Sequence, residues 1–221
     1  MSETESTVDR QNRTMQRYYV WQSKIYDATR WSFLFGRREL IRALPFGRAA
    51  RACILEVGCG TGYNLRKMAL SYPQAQLIGL DVSTHMLNKA RQNTAPFGDR
   101  VSLEARPYSL GDPFFHSKLD AVVFSYSLTM INPQWRELLQ QAKTDLKPGG
   151  FIAVTDFHDS RFAWFKRHMG NNHVRMDGHL LPVLRTEFTG LYDQIKPAYG
   201  GLWSYFVFVG KKPGGNGAVA W

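Results

Sequence analysis

Apolar positions along this chain change rhythm near residue 52. Before that point they recur at helical spacing. Over 12–29, Met15, Tyr18, Tyr19, Ile25 and Tyr26 gather on one side of a predicted helix. Arg10, Arg13, Arg17 and Lys24 fall on another face, with Trp21 among them. The segment Trp31-Ser32-Phe33-Leu34-Phe35-Gly36 closes this stretch, and 37–44 reads as a second helix before Pro45.

Beyond residue 52, short apolar runs alternate with amphipathic stretches. Strands are predicted at 52–57, 76–80, 101–105, 119–125 and 151–156, with two more in the tail at 191–195 and 203–209. Helices are predicted at 62–71, 83–94 and 133–146. Ser83 has the chemistry of an N-cap, and Lys147-Pro148-Gly149-Gly150 that of a helix stop. The run Ala121-Val122-Val123-Phe124 is apolar throughout, as a parallel strand buried on both faces requires. This pattern predicts an α/β fold: a doubly wound, mostly parallel seven-stranded sheet preceded by an N-terminal helical lid. The expected organisation is a disordered tail at 1–9, a lid at 10–51, a core at 52–213 and a flexible tail at 214–221. An insertion on the substrate face is expected over 158–190, irregular from His158 to Pro182 and marked by the cluster Arg161-Phe162-Ala163-Trp164-Phe165-Lys166-Arg167.

Composition narrows the class. With 221 residues, 44% of them hydrophobic, the chain suits one globular domain. No apolar run reaches the ~18 residues of a membrane span, and the polar first residues do not read as a signal peptide. Cys53 and Cys59 lie too close, around a tight turn, to pair without distorting it. They predict free thiols in a reducing cytosol. No His/Cys cluster has the spacing of metal ligands, so no metal is expected.

The net charge of +10 is unevenly spread. Residues 1–52 carry ten Lys/Arg against five Asp/Glu, residues 53–157 ten against nine, and residues 158–221 eight against four. The excess therefore flanks the central core. It suits solubility, or an anionic surface such as a membrane or a nucleic acid.

The chemistry centres on Ile54-Leu55-Glu56-Val57-Gly58-Cys59-Gly60-Thr61-Gly62, followed by Gly79-Leu80-Asp81-Val82. A dinucleotide fold prefers G-x-G-x-x-G to cradle a pyrophosphate. Here the third glycine comes one residue early, and Glu56 would repel a pyrophosphate but attract an amine. Asp81, ending the second strand, is placed to accept protons from both ribose hydroxyls. One ribose, no phosphate, an ammonium and a sulfonium describe S-adenosylmethionine better than NAD.

This set resembles the class I S-adenosylmethionine-dependent methyltransferases over roughly residues 52–157, and Leu146-Lys147-Pro148-Gly149-Gly150 is also typical of them. The resemblance implies that Glu56, Gly58 and Gly60 line the methionine end, that Asp81 holds the ribose, and that Val82 and Met86 lie near the adenine. Cys59, Gly62, Asn64 and Ser125 complete the implied cofactor set, with Tyr26 and Arg30 closing over it. Pro107 stands about where many relatives carry an adenine-binding acid, so backbone groups near Tyr108 are expected to replace it.

A narrower resemblance rests on Tyr26-Asp27-Ala28-Thr29-Arg30-Trp31, Phe33-Leu34-Phe35-Gly36-Arg37, Ser125-Tyr126-Ser127-Leu128-Thr129-Met130-Ile131 and Val154-Thr155-Asp156-Phe157. These segments are similar to the bacterial diacylglyceryl-homoserine N-methyltransferases, which methylate a lipid-linked amine to a betaine. The resemblance implies a lipid-amine substrate; with such a substrate, the basic flanks and the tryptophans among them predict peripheral attachment to an anionic membrane on the cytoplasmic side. Phosphatidylethanolamine and small-molecule amines are the alternative acceptors, and a non-catalytic cofactor-binding subunit is the alternative of another class. A nucleic-acid partner is not expected, because no amino-base motif follows strand four.

An amine needs orientation more than activation, and aromatic faces stabilise a growing ammonium by about 0.5–2 kcal/mol each. Tyr18, Tyr19, Tyr26, Tyr126 and Tyr199 are the candidates for such contacts, Tyr26 being better suited to closing over the cofactor, against the alternative that each is core. Tyr126 and Asp156, ending strands four and five, are the candidate catalytic pair. Asp156 receives the proton, attracts the cationic acceptor or caps the following segment. His158 shares the first of these roles or is merely solvated. Trp21, Trp164 and Phe165 are candidate membrane anchors.

Overall fold

The computed structural model describes residues 33–111, 115–131, 133–171 and 174–214. Expectations that fall on Tyr18, Tyr19, Trp21, Tyr26 and Arg30 lie outside the described residues. Helix α1 (Arg37–Ala43) precedes the alternating series β1 (Cys53–Val57), α2 (Tyr63–Ser71), β2 (Gln76–Asp81), α3 (Thr84–Thr94), β3 (Val101–Ala105), β4 (Leu119–Ser125), α4 (Trp135–Asp145) and β5 (Leu146–Asp159). Then come α5 (Ala163–Asn171), α6 (Leu180–Glu187), β6 (Thr189–Ala198) and β7 (Trp203–Lys211). The strands form one seven-stranded sheet in the order β3-β2-β1-β4-β5-β7-β6. The first five run parallel, and β7 inserts antiparallel between β5 and β6.

The apolar runs account for the central position of β1 and β4. Ile54, Leu55, Ala121, Val122 and Phe124 are fully buried, as strands covered on both faces must be. One face packs beneath α4 and α6, where Leu55, Val122, Phe124, Ile152, Val154, Phe206 and Phe208 meet Trp135, Leu138, Leu139, Leu180, Leu181 and Leu184. Each such side chain contributes about 1.5–3 kcal/mol of burial. On the other face, α1 is tied down by polar contacts. The Tyr72 hydroxyl donates to the Ile41 carbonyl at 2.5 Å. Glu39 accepts from Lys196 Nζ at 2.6 Å and from the Tyr192 hydroxyl. At the start of α1, Gly36 has φ of +76°, and a Cβ there would lie 2.8 Å from Thr155 Oγ1 and from Val207 Cγ2. No other residue lets this turn lie so close to β5 and β7.

Ser83 caps α3 as expected, its hydroxyl accepting from the Met86 N–H at 3.3 Å. The insertion over 158–190 is more regular than expected. The stretch expected to be irregular holds α5 and the first turn of α6. The Ser160 hydroxyl accepts from the Phe162 N–H at 3.1 Å, fixing the turn that launches α5. Phe165, 6% exposed, roots that helix in the body. A helix this short, rich in aromatic residues, histidine and glycine, has a weak propensity signal, and packing decides it. Strand β5 also extends beyond the expected 151–156, taking in the Lys147–Gly150 turn as a register shift opposite Leu119 and Ala121.

Candidate active site

The parallel strands β1, β2, β4 and β5 end on one side of the sheet, where the turns between strand and helix leave backbone groups to be satisfied. After β1 the chain turns sharply, and the N–H groups of Gly58 and Cys59 both donate to the Leu80 carbonyl at 2.9 Å. Gly58 has φ of +72°, and a Cβ on it would meet Ser127 Cβ at 3.1 Å. The glycine turn and the loop after β4 therefore pack directly together. At Gly60 a Cβ would meet nothing within 4 Å, so the turn opens there. Gly62 follows as the N-cap of α2.

Asp81, the last residue of β2, is held from two sides. Its Oδ2 accepts from the Gly60 N–H at 2.8 Å, and its Oδ1 accepts from the Ser83 N–H at 2.9 Å. Each carboxylate oxygen has a second lone pair. The fixed carboxylate can thus accept two further hydroxyl protons without reorienting. Glycine turn and second-strand acid, nineteen residues apart in sequence from Gly62 to Asp81, are one hydrogen-bonded unit.

Glu56 is 1% exposed on β1. Asn64 Nδ2 donates to its Oε1 at 2.7 Å, while Oε2, Asn64 Oδ1 and Ser127 Oγ are buried with no partner. Burial pushes the Glu56 carboxyl up to about 8, and the nearby Asp81 charge adds to this; the Asn64 bond and the Arg37 charge oppose it. Unsatisfied polar atoms in a protein interior cost about 1–3 kcal/mol each. Three around one turn suit a ligand with ammonium and hydroxyl donors, which the amino-acid end and the ribose of S-adenosylmethionine supply.

Residues 54–150, which span this turn and both carboxylates, match the family model described as a methyltransferase domain. Over these residues the chain is a methyltransferase domain by similarity, and its fold is the Rossmann-like one shared by S-adenosylmethionine-dependent methyltransferases. It is 32% identical over 122 residues to a ubiquinone/menaquinone biosynthesis C-methyltransferase of Syntrophotalea carbinolica, covering 55% of this chain and 49% of that protein. It is 27% identical over 117 residues to a trans-aconitate 2-methyltransferase of Azoarcus, covering 53% and 43%. The matches thus span about half the length of these relatives. Among solved structures, the 1,6-didemethyltoxoflavin-N1-methyltransferase of Burkholderia thailandensis superposes with a TM-score of 0.71. Its identity is 16%, covering 96% of this chain and 93% of that one. The N-methyltransferase NodS of Bradyrhizobium japonicum, in complex with S-adenosylhomocysteine, gives 0.64 at 20% identity, covering 80% and 85%.

The methyltransferase domain gathers most of the sequence-derived cofactor residues at this end. Glu56, Gly58, Cys59, Gly60, Gly62, Asn64 and Asp81 form the turn and its supports. Cys59 is buried and its thiol is pushed up by desolvation, so it is a packing residue; both cysteines are free. Val82 is 48% exposed just after Asp81, and Met86 is buried in the first turn of α3. The Tyr108 side chain turns away into the core, where its hydroxyl donates to Asp145 Oδ2 at 2.7 Å.

The acceptor side is built differently. Tyr126 follows β4 with φ of +54°, in the left-handed region that a bulky residue occupies only when its surroundings hold it there. It is 1% exposed; its N–H donates to the Thr155 carbonyl at 2.8 Å and its hydroxyl to the Phe35 carbonyl at 3.0 Å. Burial raises its pKa well above that of an ordinary tyrosine. Asp156 is fully buried, and burial lifts its carboxyl to about 6. Its Oδ1 accepts from Thr129 Oγ1 at 2.5 Å and from the Phe157 N–H at 2.9 Å, and its Oδ2 from the Thr129 N–H at 3.2 Å. The geometry gives Asp156 the work of anchoring the loop after β4. Ser125 ends β4, 8% exposed, opposite Thr155. Tyr199, 52% exposed, stands in the turn between β6 and β7, its ring edge-on to Phe35 at 5.5 Å.

Two residues join the site that sequence reasoning did not place there. Ser127 was visible only inside a longer motif, and its contact with the glycine turn needs the fold to show it. Arg37 stacks 4.0 Å over the Tyr63 ring at the start of α2, and its charge acts on Glu56 and Tyr126 alike. Its signal is a cation directly after the Phe35-Gly36 turn.

Proposed function

We propose that the protein transfers a methyl group from S-adenosylmethionine to an amine, and that the acceptor is the homoserine amine of a diacylglyceryl lipid. When bound, the cofactor supplies a methyl group on a positively charged sulfur. Asp81 would hold the ribose hydroxyls, Glu56 and Asn64 the ammonium, and Arg37 would balance the carboxylate. The observation that carries the amine reading is the engagement of both candidate catalytic groups. The Tyr126 hydroxyl and the Asp156 carboxylate are committed to internal hydrogen bonds, and they fix the loop after β4. Such a site orients its acceptor more than it deprotonates it, which suits an amine that gives its ammonium proton to water and then needs only to be placed with its lone pair in line with the methyl–sulfur bond. Tyr199, held edge-on against Phe35, would offer a ring face to the ammonium as it forms.

The test is transfer of a labelled methyl group to a mixture of lipid extract, small amines, quinone precursors and tRNA. Label in an amine-bearing lipid supports the reading, and label in soluble amines alone shifts it to a small-molecule acceptor. A carbon acceptor is favoured by the likeness to the Syntrophotalea C-methyltransferase. Label in the quinone fraction would overturn the amine reading in its favour.

A further inference from the structure

We propose that α5 is a docking surface for anionic membranes. It begins four residues after β5 ends and therefore lies at the same end of the sheet as the glycine turn and Asp81. Its sequence divides into two stripes. Phe162, Phe165 and Met169, spaced by three and four, are the inward side: Phe165 is buried and the other two are partly so. Trp164 and His168, again four apart, share the outward side with Arg167, and Arg161 stands just ahead; all four are exposed. Trp164 is 62% exposed, the most open of the large hydrophobic side chains among the described residues.

A solvent-facing tryptophan loses apolar burial: the Trp164 ring meets Phe162 at 6.4 Å and Phe165 edge-on at 5.6 Å along its own segment, yet stays largely open while Phe165 roots the helix. The indole suits the boundary between headgroups and acyl chains, and flanking arginines suit anionic lipid. Lys166 is paired with Asp159 at 2.5 Å, so it offers less to the surface than Arg161 and Arg167 do. The sequence beyond residue 157 carries eight Lys/Arg against four Asp/Glu, so the longer-range field has the same sign. A docked α5 would hold the open end of the sheet toward the bilayer. The inference does not depend on which acceptor is methylated.

The experiment is co-sedimentation of the full chain with phosphatidylcholine vesicles, with and without about one-third phosphatidylglycerol, at low and at high salt. Binding is expected only with the anionic vesicles and should fall steeply with salt. Trp164→Ala and the double variant Arg161→Gln/Arg167→Gln should each weaken partitioning at least fivefold, and Trp164→Phe should restore part of it. Calorimetry with S-adenosylmethionine should give wild-type affinity in every variant, which shows that the fold is intact. Equal binding to neutral vesicles, or anionic binding that neither variant weakens, would overturn the proposal. So would binding of tRNA that depends on Trp164 more strongly than vesicle binding does. Transfer to a short-chain, monomeric amine reads the methyltransferase proposal separately, because it needs no membrane.

Discussion

The two halves of the ligand end handle their polar groups in opposite ways. On the β1–β2 side, Glu56 and Asn64 hold buried atoms that have no partner among the described residues, around a turn that opens at Gly60, and Ser127 brings one more from the loop after β4 packed against that turn. On the β4–β5 side, Tyr126, Thr129 and Asp156 satisfy one another and the backbone. The first half is prepared for a polar ligand that completes its hydrogen bonds. The second is a rigid wall whose role is placement. Substitutions should therefore act on cofactor affinity in the first half, and on stability or transfer rate in the second.

The largest expected effect is at Asp81. Asp81→Ala removes the acceptor proposed for two ribose hydroxyls and frees the Gly60 N–H from its anchor. At about 1.5–3 kcal/mol per hydrogen bond to a charged group, cofactor affinity should fall at least a hundredfold by calorimetry. Asp81→Asn keeps one acceptor and should lose less. An Asp81→Ala protein with wild-type affinity would place the ribose elsewhere.

Next comes Asp156. Asp156→Ala leaves the buried Thr129 hydroxyl and N–H without their acceptor. The loss should be about 2–4 kcal/mol of stability. For a domain of this size that is a fall of roughly 4–15 °C in Tm, with cofactor affinity nearly unchanged. If affinity falls and Tm does not, the two halves are not separate in the way proposed.

How much of this was legible in the sequence follows the same division. The glycine turn and Asp81 act through backbone N–H groups and a short local path, so glycine spacing and a strand-ending acid announce them. The sheet was readable because β4 and β5 are apolar enough to demand cover on both faces. The contacts of Tyr126 and Asp156 were not readable. They join residues 91 and 27 positions apart, and a strand-ending Tyr or Asp looks the same whether it faces a substrate or a carbonyl. Helix α5 was hidden for another reason: nine residues containing Trp, Phe, His and Gly do not make a helix by propensity, and Phe165 supplies the packing that does.

The pH response separates the halves more finely. Burial raises the carboxyl of Glu56 from 4.5 to about 8 and that of Asp156 from 3.8 to about 6. Raised acids bind their proton more tightly in the folded chain. Their stabilisation is fully present below the unfolded pKa and is lost as pH rises through the folded one. The two raised carboxyls should thus cost the cofactor-free protein Tm from about pH 4 to 8; His158 and His179, whose pKa values burial lowers from 6.5, pull the other way below about pH 7, so the slope from about pH 7 to 8 is the window that reads Glu56. Glu56→Gln should flatten that upper window. An ammonium prefers the ionised carboxylate, so cofactor affinity should rise with pH up to about 8, by at most about tenfold per unit. Affinity that is flat with pH while Tm still slopes would show that Glu56 does not meet the ammonium.

The smallest effect tests the wall itself. Tyr126→Phe deletes one hydroxyl whose partner is the Phe35 carbonyl, at the entry to α1. The ring keeps its contact with Phe157 at 4.8 Å, and the left-handed backbone keeps its N–H bond to Thr155. The stability loss should be about 1 kcal/mol, or roughly 2–4 °C in Tm. Cofactor affinity should not change, because the hydroxyl points at α1 rather than at the glycine turn. The transfer rate should fall severalfold with little change in KM, since a looser Phe35 also loosens the aromatic edge shared with Tyr199. A hydroxyl that acted directly on the acceptor would instead leave Tm untouched and change the pH profile of transfer.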